Sequence, residues 1–172
     1  MEKADPNKPM RNAIAVVLRS NAHPGAFLAV LRPNEGGDLQ GIWGLPAVRM
    51  RPGELPEDAA RRVCREKLGC EAVPLRLTGT MFQKRPEYDM FFMDMEMLVV
   101  DGGTANVHAA TSKDTVYVNQ RWAKNPRILL PAARKGSCCS TIFLTQCGVL
   151  QRGEWVTTLD DVSGMHAAPN KA

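Results

Sequence analysis

Leu45–Cys70 reads LPAVRMRPGELPEDAARRVCREKLGC, and its second half decides the fold. Pro56 stands where a first-turn proline is tolerated, because the amide it lacks would have no partner within the helix. Glu57 and Asp58 follow in the first turn, where negative charge suits the helix dipole. Ala59, Ala60, Val63, Cys64 and Leu68 recur at helical spacing and form one apolar stripe. Gly69 supplies the residue on which helices commonly end. The pattern predicts a helix over Leu55–Leu68. Its start is weak, since Leu55 has no side-chain oxygen to cap the first amides. Ala47–Glu54, with Pro52 and Gly53, is expected to be a loop.

On the N-terminal side, Asn12–Arg19 is apolar enough for a buried strand. His23-Pro24-Gly25 breaks it, and Ala26–Leu31 reads as a second strand, hairpin-paired to the first. Pro33–Gly41 is a polar loop, and Ile42–Pro46 is a short apolar segment carrying Trp43. On the C-terminal side, Leu75–Phe82, Tyr88–Val100 and Thr115–Ala123 read as strands. Leu130–Val149 reads as mostly helical, interrupted at Gly136-Ser137. Strands around one helix, then a late second helix, imply a mixed sheet with helices on both faces. The expected organisation is a flexible segment 1–11, one domain over 12–156, and a small polar, flexible tail 157–172.

Composition narrows the function classes. The chain has 172 residues, 44% hydrophobic and 23% charged, as in a soluble globular protein. The net charge of +4 is spread along the chain. It suits an anionic small ligand, and no basic run with interleaved aromatics suggests nucleic acid. No run of about 18 apolar residues is present, so no membrane span is expected. Five cysteines, two of them adjacent at Cys138 and Cys139, make a poor disulfide framework and no zinc spacing. Core packing accounts for Cys138 and Cys139, and a reducing, cytoplasmic setting is expected.

The Leu45–Cys70 stretch resembles the Nudix box. Glu54, Arg62, Glu66 and Gly69 match its signature in register, with Cys64 and Cys70 at its aliphatic places. Pro52-Gly53-Glu54 and the Trp43–Pro46 approach also resemble the family. The resemblance extends weakly from Ala13 to about Val149, through Arg32 and Arg121-Trp122. It implies a Nudix-like α/β/α sandwich with a mixed sheet between helices. It also implies hydrolysis of a nucleoside diphosphate derivative with Mg²⁺ or Mn²⁺ held by helix carboxylates, and a role for Glu54 in bracing the box loop against Arg62.

The departures from the box bear on that chemistry. Ala47 and Val48 stand where glycines are usual, and Val63 and Lys67 stand where glutamates are usual. Positions 63, 66 and 67 share one helix face. Mg²⁺ takes oxygen ligands, commonly one or two carboxylates with phosphate oxygens and waters. That face offers only Glu66, beside an apolar Val63 and a cationic Lys67. Metal is therefore expected to bind weakly. The expected catalytic residues are Glu66, Glu54 and Arg62, and the candidate metal ligands are Glu66, Asp94 and Glu96. The last two lie two apart in a strand, and so on one face, among Met90, Phe92, Met95 and Met97. Lys67 could neutralise phosphate where a metal would sit. Arg32, Arg49, Arg51 and Trp43 complete the expected ligand-binding set. Solvated surface charge explains the same cations, Glu66 can be retained only as a partner of Arg62, and Trp43 can serve packing alone. Two readings stay open: a hydrolase of weak or non-standard activity, and a non-catalytic Nudix-fold module binding a nucleotide-like ligand or a protein partner.

Overall fold

The computed structural model describes residues 6–34, 39–114 and 116–158. In chain order the strands are β1 (Met10–Arg19), β2 (Phe27–Leu31), β3 (Trp43–Gly44), β4 (Ala47–Arg49), β5 (Ala72–Lys84), β6 (Asp89–Val99), β7 (Asn119–Ala123) and β8 (Val156–Thr158). The helices are α1 (Pro56–Leu68), α2 (Leu130–Arg134) and α3 (Cys138–Gln146), with short 3-10 turns at Val107–Ala109 and Pro126–Leu129. Five strands form a mixed sheet in the order β4-β1-β6-β5-β8, in which β1 and β6 run parallel. The other three form a small antiparallel sheet, β3-β2-β7.

Two apolar layers follow from strand alternation. Ile14, Val16 and Leu18 of β1, with Met93, Met95 and Met97 of β6, pack against Ala59, Ala60, Val63, Cys64 and Leu68 of α1. On the other face Ala15 and Val17 meet Cys139, Phe143 and Leu144 of α3. Leu18, Leu68 and Leu144 are wholly buried, and each such side chain contributes about 1.5–3 kcal/mol. The mixed sheet thus lies between α1 and α3. Gly79 permits this packing: a Cβ there would meet Ile142 Cγ2 at 2.6 Å and the Thr157 carbonyl at 2.8 Å.

The structure revises several sequence expectations. β1 and β2 are not a hairpin; they lie in different sheets. β1 is buried on both faces and pairs with β4 and β6. The expected loop at Ala47–Glu54 begins with β4, where Ile14 pairs with Val48 and Ala15 with Ala47. No residue other than glycine has a positive φ among the described residues, so Ala47 and Val48 sit there without strain. β1 begins at Met10, and Lys8 reaches Asp89 at 2.9 Å, so part of the segment expected to be flexible docks on β6. β8 takes in the first two residues of the expected tail; residues 159–172 lie outside the described set. α1 ends as expected, with Gly69 left-handed at φ 57°, and its Leu55 cap makes no side-chain hydrogen bond.

Candidate active site and ligand cleft

The box loop is tied to α1 through one guanidinium. Arg62 is 7% exposed. Its Nε donates to Glu54 Oε1 at 2.8 Å and its Nη2 to Glu54 Oε2 at 2.9 Å. Nη2 also donates to the Arg49 carbonyl at 3.0 Å, and the Arg51 amide donates to Glu54 Oε2 at 2.8 Å. The Arg62 guanidinium, aided by the Arg51 amide, holds the Glu54 carboxyl down at about 2 although burial opposes it. Glu54 and Arg62 are thus bonded to each other and to the backbone of the box loop.

Two hollows adjoin α1, and its neighbouring residues Glu66 and Lys67 face different ones. The larger is a cleft of about 690 Å³. Arg32, Arg49, Lys67 and Arg85 bring four cations to it, Asp114 brings one carboxylate, and Trp43, Met90 and Phe92 give it an apolar wall. The smaller hollow, about 490 Å³, borders the outer side of the box loop. Glu66 and Arg62 open there with Arg51 and Lys113, while Arg49 and Asp114 border both hollows. Glu66 meets Arg62 Nη1 at 3.7 Å and Arg51 Nη2 at 3.8 Å. Its own carbonyl accepts from the Thr111 and Ser112 amides at 2.8 and 3.1 Å, which brings the 111–114 segment beside the helix end.

Lys67 is 5% exposed. Its Nζ lies 5.2 Å from the centroid of the Tyr117 ring, and the Tyr117 hydroxyl accepts from the Ala47 amide at 3.0 Å. Burial pushes the Lys67 ammonium below the usual lysine range; nearby Asp114 raises it, and Arg32 and Arg62 lower it further. A cation held inside a cation-rich wall favours an anionic occupant.

The structure separates the expected site residues. Arg32, Arg49, Lys67 and Trp43 share the cleft. Arg51 belongs to the outer hollow, its side chain 66% exposed. Asp94 and Glu96 do not join Glu66. They lie on the α3 face of the mixed sheet, because Met93, Met95 and Met97 occupy the α1 face and successive strand residues alternate. Asp94 is wholly buried beside Cys139, and burial holds its carboxyl well above the usual range. Glu96 pairs with Arg19 at 3.4 Å and Arg76 at 3.5 Å.

A divalent metal does not fit the box helix. Val63 is 1% exposed within the core, Lys67 is a cation, and Glu66 already faces two guanidiniums. Among the described residues no three His, Cys, Asp or Glu side chains gather as a metal site. Cys138 and Cys139 line the cleft, but burial pushes the Cys138 thiol up to about 11, so it is not an activated nucleophile. Sequence reasoning missed Arg85, Asp114 and Tyr117. No motif surrounds them, and only folding brings them to the cleft.

Solved structures share this fold at low identity. A NUDIX hydrolase from Nitrosomonas europaea aligns with a TM-score of 0.62 at 19% identity, covering 89% of this chain and 95% of that one. The E. coli ORF135 protein gives 0.62 at 17%, covering 88% and 100%. The MutT protein from Methanosarcina mazei Go1 gives 0.55 at 20%, covering 76% and 91%. No curated protein matches the chain. The family model of the NUDIX domain matches residues 8–126, from the start of β1 through α1 and its box to β7, and the chain therefore belongs to the NUDIX domain family.

Proposed function

We propose that the chain binds a phosphate-bearing small molecule, a nucleotide derivative, in the cleft lined by β3, β4, Lys67 of the box helix and the start of α3, and that it hydrolyses the ligand's diphosphate slowly or not at all. The observation that carries this reading is the cleft's composition among the described residues: four cations and one carboxylate beside an apolar wall of Trp43, Met90 and Phe92. Phosphate oxygens find charge-assisted partners among such cations, and a base finds an aromatic surface. In this family's chemistry a divalent ion supplies charge stabilisation and an activated water. The paired Glu66, the buried Val63 and the cationic Lys67 argue against a standing Mg²⁺ or Mn²⁺ site on the helix. Among the described residues no helix is long and apolar enough to cross a membrane, and the free cysteines suit a reducing cytoplasm.

The test is a thermal-shift screen of the whole chain against nucleotides, nucleotide sugars, dinucleotides and coenzymes, with Mg²⁺ and with chelator, followed by phosphate-release assays on every hit. Stabilisation by mass action identifies the ligand class without assuming catalysis. At least one nucleotide class should raise the melting temperature in both conditions, with release near background. No stabilisation by any class, or rapid Mg²⁺-dependent release, would overturn the reading.

A further inference from the structure

We propose that Cys64 and Cys70 form a redox latch at the end of the box helix: hydrogen peroxide joins the two thiols as a disulfide that pins the last turn of α1, and a thiol reductant opens it. The geometry begins at Gly69. Its left-handed φ of 57° turns the chain back where α1 ends. The Gly69 and Cys70 amides then both donate to the Cys64 carbonyl, the Cys70 amide at 3.1 Å. A backbone hydrogen bond of that kind sets two Cα atoms roughly as far apart as a disulfide spans, about 4.4–6.8 Å. Both side chains enter the same core cluster. There the Cys64 thiol donates to the Cys70 sulfur. Both thiols are free, so in a reducing setting the latch stands open.

The two sulfurs are not equivalent. Cys64 is wholly buried and Cys70 is 6% exposed, so peroxide meets Cys70 first. The hydrogen bond from Cys64 lowers the Cys70 thiol against the effect of burial, and that bond together with burial raises Cys64. Cys70 is therefore the attacking thiolate. It attacks one peroxide oxygen: an S–O bond forms, the O–O bond breaks, and the departing hydroxide takes up the Cys70 proton as water. Cys64 then attacks the Cys70 sulfur: the S–S bond forms, the S–O bond breaks, and the Cys64 proton leaves with the hydroxyl as a second water. Two thiols have lost two electrons and two protons, and one peroxide has become two waters. The loop so closed contains Glu66 and Lys67. It also holds the carbonyls that anchor the following segment: Leu68 accepts from the Asn106 amide at 2.7 Å and Glu66 from the Thr111 amide at 2.8 Å.

The test exposes the whole folded wild-type chain to hydrogen peroxide. Free thiols are then blocked with N-ethylmaleimide in denaturant, and the chain is digested with trypsin without reductant. Cleavage after Arg62, Arg65, Lys67 and Arg76 puts Cys64 on peptide 63–65 and Cys70 on peptide 68–76. The latch appears as those two peptides joined, lighter by two hydrogens than their sum, and reductant should separate them. The oxidised chain should melt several degrees above the reduced one, as for a disulfide closing a short loop. Cys70→Ala, given the same peroxide, should show neither the joined peptides nor the rise. Should that variant fail to fold, peptide mapping and reversal in the wild type carry the test alone. Cys147 is exposed and reports that peroxide has acted. Oxidised Cys147 with Cys64 and Cys70 both labelled by maleimide would overturn the proposal. So would either cysteine joined chiefly to Cys138, Cys139 or Cys147, or a joined pair with no rise in melting temperature.

Discussion

Glu54 and Arg62 meet through two parallel hydrogen bonds of 2.8 and 2.9 Å across the mouth of the box loop. With the Arg51 amide on the same carboxylate, they clamp the loop to α1. Glu54→Gln removes the nearer of the two carboxylates facing the buried guanidinium, leaving Glu66 at 3.7 Å, and should cost about 1–3 kcal/mol of stability. The sign of the pH effect is fixed. The folded carboxyl lies at about 2 and the ordinary value is 4.5, so its contribution is complete above the ordinary value and is lost as pH falls toward the folded one. Urea denaturation across that range should show wild type losing its advantage over Glu54→Gln. A constant difference between them would contradict the clamp.

Asp94 has the opposite sign. Its folded carboxyl lies well above the ordinary value of 3.8 because it is buried. The folded state therefore holds a proton that the unfolded state has released, and stability falls as pH rises from the ordinary value toward the folded one. The slope from this group is at most about 1.4 kcal/mol per pH unit. Asp94→Asn should remove it and raise the melting temperature at neutral pH. A variant less stable than wild type throughout roughly pH 5 to 8 would show that the carboxylate is favoured in the fold.

Val63→Glu would restore one box carboxylate in sequence but not in space. Val63 is 1% exposed among Ala59, Ala60 and Met95. A carboxylate there is expected to destabilise by about 3 kcal/mol or more, as for other uncompensated buried charges. A denaturation midpoint equal to wild type would show that position 63 opens to solvent and that the helix can regain a metal face by substitution.

What the sequence disclosed is what local order encodes. The stripe from Ala59 to Leu68, the first-turn acids and the Gly69 stop place α1 within one residue of its observed start. The box also put Arg62 and Glu54 in register, eight residues apart, and the structure joins them. Non-local pairing was not legible. The apolar runs of β1 and β2 show two buried strands, but nothing in either says that they enter different sheets. β8 is three residues long and is held by β5, so no period announces it. Asp94 and Glu96 were rightly read as sharing one face. Which face was decided by Met93, Met95 and Met97, which alternate with them and pack against α1. The spacing 63, 66, 67 likewise gave one side of a helix. Packing then divided it, with Val63 in the core, Lys67 in the cleft and Glu66 outside.

The most direct measurement is the dissociation constant of ADP for the wild-type chain by calorimetry, once in chelator and once in Mg²⁺. If cations of the chain do the binding that a metal would otherwise do, the two constants should agree within about threefold, a difference below 1 kcal/mol. Binding in Mg²⁺ that is a hundredfold or more tighter than in chelator would contradict the account and return the site to metal chemistry.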